Sequence, residues 1–393
     1  TSADGTMKFK QDANMIYLSG IDQEESVLML FPDHPKKEYR EVLFIKQTNE
    51  MIAVWEGQKL SKEEATKVSG IKTVYWLDQM DGILSNIMTK AEYVYLDANE
   101  HGRNTSPVQT RTDRFNQWIK EEYPLHTFQR LAPLFTPLRM VKSEIEIELI
   151  KKACDITEKG FRRVIDKLRP GLWEYELEAE WAHEFLRNGA TGFAFEPIMA
   201  SGKNACVLHY LENDKVCQDG DLILMDVGAE YANYNADMTR VLPVNGRFTD
   251  RQKAVYNAVL NVKNAATAML KPGIKIPDYQ KQVGKAMTEE LLQLGLITSD
   301  DVKNQTEASP AYRKYMMHGA SHHLGLNVHD VSDTDLALDA GMVLTVEPGI
   351  YIPEEGIGIR LEDDVLITDQ EPINLMANIP VEADEIEDLM NAS

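Results

Sequence analysis

The chain has 393 residues, 43% hydrophobic and 26% charged, which is enough for two domains with separate cores. Its 41 lysines and arginines stand against 63 acids, a formal charge of -22 that repels phosphate backbones and excludes nucleic acid as an expected partner. Cys154, Cys206 and Cys217 are too few and too scattered for a disulfide framework or a zinc cluster, and no apolar run reaches the roughly 20 residues of a membrane span, so a reducing, cytoplasmic setting without a membrane is expected.

Before residue 140 the pattern is α/β. Residues 26–31, 41–46, 51–55, 72–76 and 93–96 read as short apolar strands between helical stretches. Ser61-Lys62-Glu63-Glu64 has the capping-box spacing for a helix that Gly70 ends. Pro133 and Pro137 mark a link. Ser143 and Glu146 repeat the box and open a long amphipathic helix, with Ile147, Ile150, Ala153 and Ile156 at roughly helical period, stopped by Pro170-Gly171. Further helices are expected over 175–188, 249–270 and 277–294, and the acidic stretch 382–390 reads as a solvated amphipathic helix.

Two stretches of the second half repeat one pattern: Gly-Asp-Leu-Ile-Leu-Met-Asp-Val-Gly at 220–228 and Gly-Met-Val-Leu-Thr-Val-Glu-Pro-Gly at 341–349. Each is an apolar strand ending in one carboxylate, Asp226 or Glu347, and a glycine. Each is followed by a second strand with its own acid, Asp237 or Glu362. An isolated buried carboxylate loses several kcal/mol or more of hydration unless it is paired or binds a metal. Because side chains alternate along a strand, acids on the two arms of a hairpin can share a face, and two related hairpins can bring four together. That geometry suits a pair of divalent metals. One such acid alone is better read as a solvent-facing hairpin end; four in matched frames are not.

Residues 317–330 hold four of the nine histidines, His318, His322, His323 and His329, in a glycine-flanked segment. Neutral imidazole is the usual nitrogen ligand and also a donor to developing negative charge. The second half therefore reads helix, helix, hairpin, helix, helix, hairpin: two related halves facing each other across the metals. Competing motifs fail. His183-Glu184 begins like a zinc-protease helix, but Arg187 stands where its second histidine belongs, and no Gly-x-Ser-x-Gly elbow is present. Ser321 reads as a small residue that lets its segment turn rather than as a nucleophile.

The carboxylate pairs, His318-Gly319-Ala320-Ser321-His322, Val346-Glu347-Pro348-Gly349 and the Gly-Ile-Gly-Ile-Arg-Leu-Glu-Asp of 356–363 resemble the metallopeptidase family of aminopeptidase P, prolidase and methionine aminopeptidase. Residues 14–20, 201–202 and 206–210 extend the resemblance over nearly the whole chain. It implies a creatinase-like α/β amino-terminal domain over 1–140 and an α+β pita-bread catalytic domain, with pseudo-twofold related halves, over 141–393. It implies two divalent ions held by Asp226, Asp237, His322, Glu347 and Glu362. Asp226 and Asp237 would hold one, His322 and Glu347 the other, while Asp237 and Glu362 bridge both. Oxygen-rich donors with one imidazole suit manganese first, with Co(II), Fe(II) or Zn(II) able to substitute.

The same resemblance makes Glu347 the proton carrier, and gives His329 the tetrahedral intermediate to stabilise. His318 would line the pocket and His209 its rim. Tyr351 and Arg360 would be the supporting pair, with Arg360 two residues before Glu362 on the same strand face to orient it. The implied activity is hydrolysis of the amino-terminal Xaa-Pro bond of peptides with proline second, by a homo-oligomer, dimer or tetramer. The rival enzyme is prolidase, restricted to dipeptides; the rival of another class is a non-catalytic pita-bread binding module. Ser321 favours aminopeptidase P, since prolidases tend toward glycine there. The 140 or so residues before the catalytic half disfavour methionine aminopeptidase. Three departures are visible: His323 where many relatives carry an aromatic or apolar residue, Asn327 where an acid is common, and a short loop between Tyr351 and Gly356.

Overall fold

The computed structural model describes residues 8–100 and 107–392, and the chain divides into two compact units, Thr1–Phe135 and Thr136–Ser393. In the first, Glu41–Ile45 is the centre of a three-stranded sheet, antiparallel to Val27–Leu30 and parallel to Thr73–Trp76. Its Val-Leu-Phe-Ile run is wholly buried, as expected of a strand covered on both faces, and Leu43 and Ile45 meet Ile21, Ala65 and Ile71 in one core. The helix Lys62–Ser69 has the reciprocal Ser61–Glu64 cap, and Gly70 ends it at φ 74°.

The stretch 51–55, expected as a strand, is instead part of the helix Glu50–Glu56. A short apolar run fits either period. The Asn49 side chain decides for helix by accepting from Ile52 N at 2.9 Å, and Met51, Val54 and Trp55 are left exposed. The strand Thr127–Arg130, parallel to Tyr93–Leu96, was not expected, because Thr-Phe-Gln-Arg holds a single apolar residue and shows no period.

In the second unit two helix pairs each serve one hairpin. Glu144–Ile165 packs on the first hairpin and on Glu174–Arg187, which in turn covers the strands Gly192–Phe193 and Ile198–Ser201 beside it; Asp250–Met269 packs on Ile276–Gln293 and on the second hairpin. Each hairpin is two antiparallel ladders in series. In the first, Leu222–Val227 pairs with Met238–Pro243, and Ala229–Tyr231 pairs with Tyr234–Asn235. In the second, Val343–Val346 pairs with Asp363–Leu366, and Gly349–Ile352 with Ile357–Arg360. The helix Ala383–Met390 follows at the end of the chain. No helix among the described residues is long and apolar enough to cross a membrane.

The ladders break at Gly228, Ala236 and Asp237 in one hairpin and at Glu347, Pro348, Leu361 and Glu362 in the other. Pro348 has no N–H to give a ladder. At Gly228 the opposite arm comes so close that an added Cβ would lie 1.6 Å from the Ala236 carbonyl oxygen. Backbone freed by the breaks ties the hairpins together: Asp237 N donates to Asp364 Oδ2 at 3.0 Å, and Glu362 N to Thr239 O at 3.1 Å.

Gly228→Ala should therefore cost at least the upper end of ordinary overpacking, about 3 kcal/mol, because the obstructing atom is backbone. Gly82→Ala, on the exposed face of the helix Met80–Met88 with nothing within 4 Å of its added methyl, should gain about 0.5–1 kcal/mol. Denaturant unfolding of the two variants checks both signs.

Candidate metal centre

The acids collect where the ladders break. Asp226 is the penultimate residue of the strand Leu222–Val227 and lies opposite Thr239, while Asp237 precedes Met238–Pro243 by one residue. Glu347 and Glu362 stand at the break of the other hairpin. Ligand atoms of Asp237, His322 and Glu362 lie within 4.8 Å of one another. His322 Nε2 is 3.4 Å from Asp237 Oδ2 and 3.9 Å from Glu347 Oε1. Asp226 joins through Arg360, whose Nη2 donates to its Oδ2 at 2.5 Å; its Oδ1 is buried with no hydrogen-bond partner among the described residues. Asp237 is pushed well above the usual carboxylate range, first by burial and then by Asp226; Glu362 is pushed up by burial and then by Asp237.

The histidine segment lies along the strand Val343–Val346, which Glu347 follows. His322 N donates to Thr345 Oγ1, Thr345 N to His322 O, and Glu347 N to Ala320 O. His322 Nδ1 lies 3.0 Å from the carbonyl of His323, an acceptor only, so in the neutral ring Nδ1 carries the proton and Nε2 turns a lone pair toward the acids. The His329 ring stacks on His322 with centroids 3.8 Å apart. At the segment's far end buried Asp330 accepts from Arg139 at 2.5 Å and Lys142 at 3.2 Å, and Asn327 Oδ1 accepts from Arg139 at 2.9 Å. An acid at 327 would add a second anion to that cluster; asparagine adds an acceptor without one. His323 is 2% exposed and held down to about 3 by burial and then by Lys142, a neutral packing residue.

Tyr351, Arg360 and His318 form a directed chain. Arg360 Nη1 donates to Tyr351 Oη at 2.8 Å, and Tyr351 Oη lies 2.8 Å from His318 Nε2. His318 Nδ1 is 2.7 Å from Gly319 O, so it is the protonated nitrogen, and Nε2 receives the phenol hydrogen. Burial pushes Tyr351 up to about 12 and holds His318 down to about 4, with Arg360 adding to the latter. Glu347 Oε2 is 3.6 Å from His318 Nδ1. His209, in the turn after Gly202–Cys206, is exposed and near enough for its charge to depress His318 further.

The shared strand face expected of Arg360 and Glu362 needs correcting, while the link between the two side chains remains and is indirect. The strand ends at Arg360, Glu362 lies beyond it at the break, and Arg360 reaches Glu362 through Thr239: Arg360 Nε donates to Thr239 Oγ1 at 3.1 Å, and Thr239 Oγ1 donates to Glu362 Oε2 at 2.7 Å. Sequence reading missed Thr239, which stands two residues after Asp237 and lies opposite Asp226 in the ladder. It also missed Asp364 and Asp330, whose partners come from distant segments. Ser321 Oγ is buried without a partner among the described residues, so no base activates it.

The family model described as metallopeptidase family M24 matches residues 148–369, and that of the aminopeptidase P N-terminal domain matches residues 1–95. The chain belongs to metallopeptidase family M24. The Xaa-Pro aminopeptidase of Escherichia coli is 35% identical to it, over 100% of this chain and 91% of that protein. The structure of Pseudomonas aeruginosa aminopeptidase PepP matches with a TM-score of 0.89 at 33% identity, over 98% of this chain and 90% of that one. Zinc-substituted Escherichia coli aminopeptidase P in complex with product matches at 0.87 and 33%, over 100% and 91%. The fold is thus an α/β amino-terminal domain followed by a pita-bread catalytic domain, and an M24 metallopeptidase works with divalent metal ions. The residues fit such ions: oxygen-rich donors, one imidazole lone pair, and buried carboxylates that the protein's own cations leave uncompensated.

A pH dependence follows. In the metal-free protein Asp237 and Glu362 keep their protons to higher pH than in the unfolded chain. Their contribution is full below about pH 4, where both states are protonated, and is lost as pH rises toward the raised folded values, because the folded state then binds more protons. Melting of chelator-treated protein between about pH 4 and about pH 8 should show Glu362→Gln gaining on the wild type as pH rises. A divalent metal should stabilise the wild type most at the high end. A difference between the two proteins that does not change with pH would contradict the assignment.

Proposed function

We propose that this chain is an Xaa-Pro aminopeptidase, a metal-dependent hydrolase that releases the first residue from peptides with proline second. The observation that carries this reading is the convergence of Asp237, His322 and Glu362, with Asp226 and Glu347 beside them, in a chain that matches the Escherichia coli Xaa-Pro aminopeptidase along 91% of that protein. The dipeptidase and binding-module readings fall away, because the relatives carry the aminopeptidase name and no expected donor is missing. Asp226, Asp237, His322, Glu347 and Glu362 would hold two ions, manganese first. When bound, they supply Lewis acidity and an acidified water.

The chain's own residues do the rest. Glu347 takes the water's proton and hands it to the departing nitrogen. A bond to proline has no N–H and releases a basic secondary amine, so delivery of that proton is the demanding step. His329, fixed against His322, donates to the negative charge that develops on the carbonyl oxygen. His318 is held neutral with both nitrogens engaged, and serves as a rigid wall rather than a proton carrier. His209 lies at the rim, and the nearby acids favour a cationic free amine. The three unpaired cysteines accord with a reducing, cytoplasmic setting, and a homo-oligomer, dimer or tetramer, completes the proposal.

Metal-loaded enzyme should release alanine from Ala-Pro-Ala and longer peptides, little from Ala-Ala-Ala, and almost none after acetylation of the amine. Cleavage confined to Ala-Pro would instead make it a dipeptidase, and equal cleavage of Ala-Ala-Ala would remove proline specificity. His329→Ala should lose about 100- to 1,000-fold in turnover with metal content intact. His322→Ala should lose metal; the reverse pattern would exchange their roles.

A further inference from the structure

A single buried carboxylate closes both ends of the loop that carries His209. Glu174, at the start of the helix Glu174–Arg187, is 0% exposed and makes no ion pair among the described residues. Hydrogen bonds alone hold it. Its Oε1 accepts from Ser201 N at 2.7 Å and Ser201 Oγ at 2.6 Å; its Oε2 accepts from Tyr210 Oη at 2.9 Å and Lys215 N at 3.0 Å. These four donors come from both sides of one excursion: Ser201 precedes the short helix Gly202–Cys206, and Tyr210 follows His209 directly.

Packing does not secure this loop by itself. Residues 202–204 border an open cleft of about 630 Å³ on one side, and Val207 and His209 are exposed. On the other side the loop presses on the strand Ile357–Arg360. Cys206 Sγ donates to Ile357 O at 3.4 Å, and an added Cβ on Gly358 would lie 2.2 Å from Ala205 O. The loop is therefore clamped by Glu174 at its two ends and by Gly358 at its middle. The strand that touches its middle is the one that ends in Arg360.

We infer that Glu174 is a positioning residue, which presets the His209 loop for substrate through Ser201 and Tyr210. This rests on the proposed place of His209 at the rim of the site. An exposed loop ordered before binding loses less freedom when the peptide arrives, so the clamp acts on substrate capture rather than on the chemical step. A carboxylate is the group suited to it, since each of its oxygens accepts two hydrogen bonds, whereas an amide in the same place would point N–H at groups that only donate or at a hydroxyl already committed.

The test is steady-state kinetics of metal-loaded enzyme on Ala-Pro-Ala, with metal content measured in parallel. Glu174→Gln should raise KM about tenfold by leaving a buried donor unmet, with kcat within about twofold and bound metal unchanged. His209→Ala should raise KM by itself, and adding Glu174→Gln to it should raise KM no further, because the two act through one loop. Tyr210→Phe removes one of the four bonds at the His209 end and should give a smaller rise, about threefold, again absent in the His209→Ala background. It decides the matter where Glu174→Gln does not fold. Independent, multiplying effects, or a fall in kcat or metal with KM unchanged, would overturn the positioning role. If His209→Ala leaves KM unaltered, the reading of His209 itself fails, and a KM rise in Glu174→Gln alone would then mean that Glu174 acts by another route.

Discussion

Uncompensated negative charge at the hairpin breaks is the constraint on which the rest of this structure depends. Glu362, Asp363 and Asp364 are consecutive and all buried, yet they meet three different fates. Asp363 is the neutralised one: against the upward pull of burial, Arg240 and Lys263 hold it below its ordinary value, and Asn374 donates to it as well. Asp364 lies beneath the centre, accepting from Asp237 N and near Cys154 Sγ. Glu362 faces Asp237, and among the described residues its carboxylate receives one hydrogen bond, from the Thr239 hydroxyl. Strand alternation separates these environments, so Arg240, one residue past Thr239, serves Asp363 and not the centre. Among the described residues, two cations hold Asp363, whereas Arg360 is placed among the acids of the candidate centre.

Arg360 does more than lower the charge. Its three donor directions go to Asp226, Thr239 and Tyr351, which places one side chain in contact with both hairpins and with the chain that ends at His318. A guanidinium can do this because its donors form a rigid planar fork; a lysine ammonium offers no such fixed geometry. The histidine segment is fixed from two sides in the same spirit, by backbone pairing beside Val343–Val346 and by the buried cluster around Asp330. His322 is thus aimed at the acids before any ion arrives.

The acids and histidines of the centre were legible because each belongs to a local pattern: an apolar strand ending in one acid and a glycine, twice, and histidines spaced among glycines. The helix caps at Ser61 and Ser143 were legible for the same reason, since capping is decided within four residues. What sequence could not carry was pairing between distant segments. Arg360 was expected to act on Glu362 because the two are close in the chain, yet the strand ends between them and the guanidinium turns to Thr239 and Asp226 on the other hairpin. Asp330, Asn327 and Arg139 meet only in the folded unit. The stretch 51–55 failed differently, because five residues cannot distinguish a period of 2 from one of 3.6, and the deciding signal was the single side chain of Asn49.

The two hairpins cannot be understood as separately stable halves that happen to meet. Taken alone, the first would bury Asp226 without Arg360, and the second would bury Glu362 without Thr239; each would hold an anion with fewer partners than it has in the whole. The bonds that cross between them, Asp237 N to Asp364 and Glu362 N to Thr239, satisfy backbone that the ladder breaks had freed. Formation of the site and completion of this unit's interior are therefore one event. The broken ladders, which look like interruptions of an otherwise regular sheet, are what allow four carboxylates and an imidazole to face one another across the middle of the fold.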